Sequence, residues 1–413
     1  MNQQRVFVSG IGMISSLGNK LEEAFGRLIE GQSGVQAMPD WEKYNGLHSH
    51  LMAPAHAYDI AHVHRKKRRT MSPMSEMATI ASRDALVQAG FDNGNLWEGL
   101  DPQRSLIIMG STTGSPKTLE DHFEKLFERG GPEGQTSTAF FKIMNHSVAS
   151  NVALALDYKG ALLSTGSACS TSSQAMIQAW EMIQSGLYDF ALVGGADEAF
   201  YTSAAIFDTV QAASTNYNKA PDQSPRPFDN ARDGLVISEG AGIMILESES
   251  HLEKRGGRPI AEFLGGAYFC DGEHMSHPLQ SSMAKTMRWA LERTNLSPES
   301  VDYVNAHATS TVIGDRQEAK AIAEVFGNQT PVSSLKGHFG HSLAACGAIE
   351  AACCIEMMNS GLLIPNRNLT NVDPECTGIN AIIKNTEGSF QTIMSNNFAF
   401  GGMNTSFLLK RCQ

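Results

Sequence analysis

Strand-like and helix-like stretches alternate along this chain, and the alternation runs through it twice. VFVSGIGMIS, from Val6, reads as a first strand, and SEMATIASRDALVQAG, from Ser75, carries helical apolar spacing closed by a glycine. SLIIMGSTTG from Ser105, DFALVGGADE from Asp189 and GAGIMILESES from Gly240 read as further strands. After ESESHLEKRGGRP a similar series starts: the strand PIAEFLGGAYFC, a helix over SMAKTMRWALERTN, the strand VDYVNAHA, and a helix over DRQEAKAIAEVFG. PVSSLKGHFGH and a small-residue helix, LAACGAIEAACCIEMMNSG, complete it. Strands alternating with helices imply a layered α/β protein with a mainly parallel sheet. At 413 residues the chain exceeds one ordinary core, so two halves are expected, 1–256 and 257–413, divided near Gly256-Gly257. No strong sequence repeat accompanies this order, so a duplicated architecture rests on element order alone.

Composition excludes several classes. With 42% hydrophobic and 18% charged residues the chain is that of a folded globular protein. A net charge of −11 argues against a general nucleic-acid binder, because the phosphate backbone would repel it. No apolar run nears the ~18 residues of a membrane span, and the stretch after Arg5 is a strand rather than a signal peptide, so no membrane association and a cytoplasmic location are expected. The seven cysteines, at 169, 270, 346, 353, 354, 376 and 412, are odd in number and irregular in spacing, which fits a reducing compartment. One run opposes the acidic balance: His64-Arg65-Lys66-Lys67-Arg68-Arg69. It reads either as a solvated loop and helix start or as a docking patch for an acidic partner.

Residues 164–175, STGSACSTSSQA, lie between a short apolar run and the helical AMIQAWEMIQSG. Strand, tight turn and helix would put Cys169 in the first helical turn, where unpaired N–H groups and the helix dipole favour a thiolate of lowered pKa. A small buried thiol filling space is the alternative. His307 follows the strand VDYVNA and His341 opens the small-residue helix, so both sit at strand-to-helix junctions where ligands collect in α/β sheets. Each alone is an ordinary structural histidine; with Cys169 they make a candidate acyl-transfer site. His338 and His341, and His274 and His277, are spaced three apart, but neither pair has a cysteine pair to complete a zinc site, and no metal is expected. Neither GxGxxG after a strand nor GxxxxGK[ST] occurs.

Five motifs in order resemble the β-ketoacyl-[acyl carrier protein] synthases of the elongating, Cys-His-His type. They are SACST around Cys169, DGLVISEGAGIMILE from Asp233, NAHATSTVIGDRQE from Asn305, KGHFGHSLAACGAIE from Lys336 and NFAFGGMN from Asn397, within a likeness running from about Val6 to Leu409. The resemblance implies a thiolase-like fold of two similar halves in five αβαβα layers, and a tight dimer. It implies that Cys169 takes an acyl group from a carrier protein as a thioester, and that malonyl carrier protein then loses CO2 and its enolate attacks. His307 and His341 would hold the enolate oxygen as neutral N–H donors, and the backbone N–H groups of Cys169 and Phe400 would form the oxyanion hole. Lys336 would favour the neutral imidazoles, with Asp315 and Glu350 in the same polar network. Glu318 is read as an ordinary helix charge. Phe400 would gate the acyl pocket, Thr113 would limit acyl length, and Lys66 and Arg69 would steer the acidic carrier. No cofactor is implied, the substrates riding on the carrier's phosphopantetheine.

The chain also departs from the family pattern. It has Lys336-Gly337-His338-Phe339-Gly340-His341 where Lys-Ser-Met-Thr-Gly-His is common, Ala308 after the first histidine, and Ala399-Phe400-Gly401-Gly402-Met403 where Gly-Phe-Gly-Gly-Thr is common. Alanine for glycine narrows backbone freedom at the gate. His338 has no role assigned by the resemblance. With Thr113, these departures suggest a specialised substrate, such as a polyunsaturated or aryl polyene chain, rather than a saturated long chain. The alternatives are a ketosynthase-like subunit of a heterodimer, in which the cysteine is usually missing, and a thiolase-like enzyme acting on acyl-coenzyme A.

Overall fold

The structure, a computed structural model, describes residues 4–91 and 96–412. The strands of its main sheet are β1 (Val6–Ile14), β2 (Ser105–Gly110), β3 (Ala161–Leu163), β4 (Phe190–Asp197), β5 (Gly240–Ser248), β6 (Ala261–Cys270), β7 (Tyr303–Asn305), β8 (Pro331–Ser333), β9 (Asn380–Ala381), β10 (Thr392–Ala399) and β11 (Met403–Arg411). They hydrogen-bond in the order β9-β8-β7-β10-β11-β6-β1-β5-β4-β2-β3. The helices that build the layers are α1 (Pro73–Gln88), α2 (Ser147–Ala155), α3 (Thr171–Gln184), α4 (Gln280–Thr294), α5 (Val312–Phe326) and α6 (Cys346–Ser360).

The two halves repeat one pattern. In β3-β2-β4-β5-β1 the first three strands are mutually parallel and the last two neighbours antiparallel, and β8-β7-β10-β11-β6 does the same. Among the described residues the two sets join through the strand pairs Phe7 with Glu262 and Val8 with Ala261. The sheet is therefore mixed, not mainly parallel as expected. The physical reason is local: β10 and β11 are joined by the tight Phe400-Gly401-Gly402 turn, both glycines at positive φ, and a hairpin can only make an antiparallel pair.

The inner strands are buried on both faces. Along β5, Met244 and Leu246 enter one core while Ile243 and Ile245 enter another; along β2, Leu106 and Ile108 part from Ile107 and Met109 in the same way. Helices α3 and α6 lie between the two strand sets and touch strands of both halves. Helices α1 and α2 cover the outer face of the first half, and α4 that of the second. Three cores result, one central and one beneath each outer layer, which is the five-layered αβαβα arrangement. Backbone approach is close: a Cβ on Gly12 would come 1.8 Å from the Ala81 carbonyl of α1, and one on Gly195 2.3 Å from that of Ala344. Among the described residues no helix is long and apolar enough to cross a membrane.

Candidate active site

Both central helices deliver their N-terminal ends to one place. Ala168–Ser170 form a single 3-10 turn before α3, and Ala168 sits at a φ of 48°, a left-handed value costly for a residue with a Cβ. Neighbours hold this turn: the Ser170 hydroxyl lies 2.9 Å from the Asn397 carbonyl and 3.0 Å from that of Met403, while Thr171 Oγ1 donates to the Ala168 carbonyl at 2.8 Å. Cys169 is thus in the turn ahead of the helix and not in its first turn, and it is only 6% exposed. The expected lowering of its pKa is also reversed. Burial pushes the thiol up to about 12, with Lys336 pulling the other way, because the second half of the chain closes over the sulfur and removes the water a thiolate needs.

His341 is fixed by the backbone, its N–H donating to Val236 at 2.8 Å and its carbonyl accepting from Ser238 at 2.9 Å. Its Nε2 lies 3.0 Å from Cys169 Sγ. His307 follows β7, and its ring centroid stands 5.2 Å from that of His341, nearly perpendicular at 84°. One ligand atom each from Cys169, His307 and His341 lie within 4.8 Å of one another. That span also suits a single metal ion, although the buried Lys336 ammonium opposes a further cation there. Burial, reinforced by Lys336, holds both imidazoles well below the ordinary histidine pKa, and His341 adds to the effect on His307. Both rings are neutral at physiological pH.

Behind the imidazoles Lys336 Nζ pairs with Glu350 Oε1, both side chains buried. Glu350 Oε2 accepts from Asn397 Nδ2 at 3.0 Å and Asn305 Nδ2 at 3.3 Å. Asp315 stands further out: it accepts from the amides of Phe228 at 2.9 Å and Ser310 at 3.1 Å, with Arg232 at 3.5 Å, and burial raises it to about 6. Glu318 is not the ordinary helix charge it was read as. It is buried, and its carboxylate accepts from the amides of His307 at 2.7 Å and Ala308 at 2.6 Å, while burial pushes it up to about 8. The helical register hid this, since nothing local shows which face of α5 meets the loop after β7.

Cys169, His307, His341, Glu318 and Phe400 line a cavity of about 210 Å³. Its walls include Phe207, Thr309, Thr311, Val312 and Met275. Phe400 packs on Phe207 with centroids 5.8 Å apart. Thr113 is not among the lining residues: its amide and hydroxyl face the Asp197 carboxylate at 3.2 and 3.3 Å. Asp197 also accepts from Ala344 N at 2.8 Å, so it ties the end of β4 to the turn that precedes α6. His338 points away, between the carbonyls of Gln32 at 3.0 Å and Pro365 at 3.3 Å. Lys66 and Arg69 are exposed at and just beyond the short helix Arg65–Arg68. Sequence reasoning missed Asp197 and the side chains of Asn305 and Asn397; the last two appeared only as the first residues of motifs.

Two family profiles cover most of the chain: "Beta-ketoacyl synthase, N-terminal domain" matches residues 3–251 and "Beta-ketoacyl synthase, C-terminal domain" residues 260–370. The chain is 33% identical over 410 residues to 3-oxoacyl-[acyl-carrier-protein] synthase 1 of Haemophilus influenzae, covering 99% of each chain. Among solved structures it is similar to a beta-ketoacyl synthase from Burkholderia phymatum STM815, at 41% identity and a TM-score of 0.95 over 99% of this chain and 100% of that one. It is also similar to the ishigamide ketosynthase/chain length factor, at 27% identity and a TM-score of 0.91 over 100% of both chains.

Proposed function

The chain belongs to the β-ketoacyl synthase family, and from that premise we propose that it condenses a Cys169-bound acyl group with malonyl-[acyl carrier protein]. The products are 3-oxoacyl-[acyl carrier protein] and CO2, in fatty acid or related polyketide biosynthesis. One observation carries the assignment of roles: the sulfur and two neutral imidazoles lie within 4.8 Å on one cavity wall.

Sγ attacks the carrier-borne thioester carbon, whose bond to the carrier sulfur breaks, and the thiol proton goes to that departing sulfur. Because burial raises the thiol pKa, the proton leaves as the S–C bond forms rather than beforehand. Malonyl carrier then enters. Its C–CO2 bond breaks, the electron pair becomes an enolate, and the enolate oxygen is held by N–H groups of His307 and His341. The enolate carbon attacks the Cys169 thioester, whose oxyanion rests on the backbone N–H groups of Cys169 and Phe400. Collapse expels the Cys169 sulfur, which recovers a proton. Each oxyanion-hole donor is worth about 3 kcal/mol of barrier. Lys336, charge-balanced by Glu350, opposes a second positive charge on either ring. No resident cofactor takes part; phosphopantetheine belongs to the substrate.

Carrier protein is the partner, with Lys66 and Arg69 steering it, and the location is cytoplasmic. A second subunit is also proposed. Leu119, Phe123 and Phe127 form an exposed stripe at helical spacing with Phe140 and Phe141 nearby, and Leu162 and Leu163 are exposed on the edge strand β3. That much open apolar surface suits a subunit interface, filled by a second copy or by a related ketosynthase-like chain. The likeness to a ketosynthase/chain length factor supports keeping both.

The deciding assay supplies acyl and malonyl carrier protein and measures CO2 and 3-oxoacyl carrier. The parent enzyme is expected to give both, and Cys169→Ala to release CO2 without the condensed product. Absence of CO2 from malonyl carrier in both proteins rules the proposal out.

A further inference from the structure

The imidazole that receives the enolate must present an N–H to the cavity, and a neutral ring has only one. What decides which nitrogen of His307 carries it is a neighbour no motif singled out. Asn397 lies on β10, fully buried. Its Oδ1 accepts from the Ser173 hydroxyl at 2.5 Å, and its Nδ2 stands 3.0 Å from the Glu350 carboxylate, which can only accept. The carboxylate therefore identifies the amide's nitrogen side without ambiguity. That same Nδ2 faces His307 Nδ1 at 3.4 Å and Cys346 Sγ at 3.4 Å. Of its two hydrogens one serves Glu350, and the other turns toward Nδ1 and the sulfur. A hydrogen on Nδ1 would meet another hydrogen head-on.

We propose that Asn397 is a positioning residue that fixes the tautomer of His307, leaving Nδ1 bare and placing the ring proton on Nε2, the nitrogen free to serve the cavity. The inference rests on the condensing role proposed above for His307. The same donor opposes protonation of Nδ1, because an imidazolium would again set N–H against N–H. Around the ring the other charged and titratable groups agree with this. Lys336 and His341 disfavour a charge, Glu350 reaches His307 only through Asn397, Glu318 holds the backbone amide and not the ring, and Cys346 and Cys169 are protonated thiols.

Asn397→Asp tests this with almost no change of shape. An oxygen replaces Nδ2; whether ionised or sharing a proton with Glu350, it presents a lone pair to Nδ1 and selects the wrong tautomer. A comparable inversion in the serine protease triad is disabling although the geometry survives. Full-length protein labelled with 15N-histidine, with His307→Gln for assignment, reports the protonated nitrogen in a two-bond 1H–15N correlation spectrum. The parent should show His307 Nε2–H and the variant Nδ1–H. Decarboxylation of malonyl carrier should lose about 100-fold in kcat with KM within about threefold, as expected for an interaction made only in the transition state. Alkylation of Cys169, which faces His341, should be unchanged. An Nδ1–H signal in the parent overturns the proposal, as does a variant that keeps Nε2–H and the parent's kcat; the parent spectrum decides alone if the aspartate variant does not fold. A parent that shows Nε2–H but releases no CO2 would instead strike the assigned reaction and leave the tautomer intact.

Discussion

Cys169 carries two opposed influences, a helix start that favours its anion and a burial that opposes it, and the structure gives the decision to burial. Iodoacetamide alkylation of Cys169 should therefore keep rising with pH from about 7 to about 10, tenfold per unit, with no plateau near neutrality, since the thiolate fraction grows throughout that range. A plateau near pH 7 would hand the decision back to the helix start. The imidazoles respond to a different charge. Burial and Lys336 both depress their pKa values, so they are neutral above those values and charge only as pH falls through them. Replacing Lys336 alone would strand Glu350, so the test is the double variant Lys336→Met/Glu350→Gln. With the cation gone the histidine pKa values rise, and the acid limb of the decarboxylation profile should move to higher pH, read from initial rates across about pH 4 to 8. A limb that stays in place or moves down would mean that Lys336 does not set the ring charge.

Elements hold the site by a few long-range clamps. Helix α5 reaches the loop after β7 through Glu318, whose two oxygens take the amides of His307 and Ala308. Above about pH 8, where the Glu318 carboxylate is ionised, Glu318→Gln keeps the shape but replaces one acceptor with a donor facing a buried N–H. The expected cost is about 1–3 kcal/mol of stability, measured by thermal or denaturant unfolding. Unchanged stability would reduce the carboxylate to a bystander. The strands were legible because apolar runs such as Leu106 to Met109 and Ile243 to Leu246 are buried on both faces. Helices α1, α3, α4, α5 and α6 showed in their spacing. The antiparallel hairpin of β10 and β11 was not recognised, because NFAFGGMN invited a reading as chemistry and its glycines as a gate, when they also make the turn. The exposed helix Pro116–Glu128 was missed too, its stripe open to solvent with Phe123 stacked on Phe127 at 5.9 Å.

At the scale of the whole molecule, a protein of net charge −11 can draw in the acidic carrier proposed above only through local positive charge. Lys66→Glu with Arg69→Glu should raise the KM for carrier protein severalfold and weaken its salt dependence, while alkylation of Cys169 is untouched. Equal KM in parent and variant would move the docking surface elsewhere. The two halves meet through α3 and α6, which touch strands of both, so the sulfur of one half and the imidazoles of the other share a cavity. That arrangement explains the small residues at the start of α6: Gly347 has no room for a Cβ beside Ser173 and Asn397.

The sequence by itself determined the layered α/β class, the recurrence of strand and helix in two halves, and the candidacy of Cys169, His307 and His341. Those signals are local: spacing, turn residues and small side chains act between near neighbours in the chain. Tertiary structure alone decided that His341 lies 3.0 Å from a sulfur 172 residues away, that the thiol is raised rather than lowered, and that Asn397 faces His307. Desolvation and directed hydrogen bonds depend on which surfaces close over a group, and a linear pattern does not contain that information.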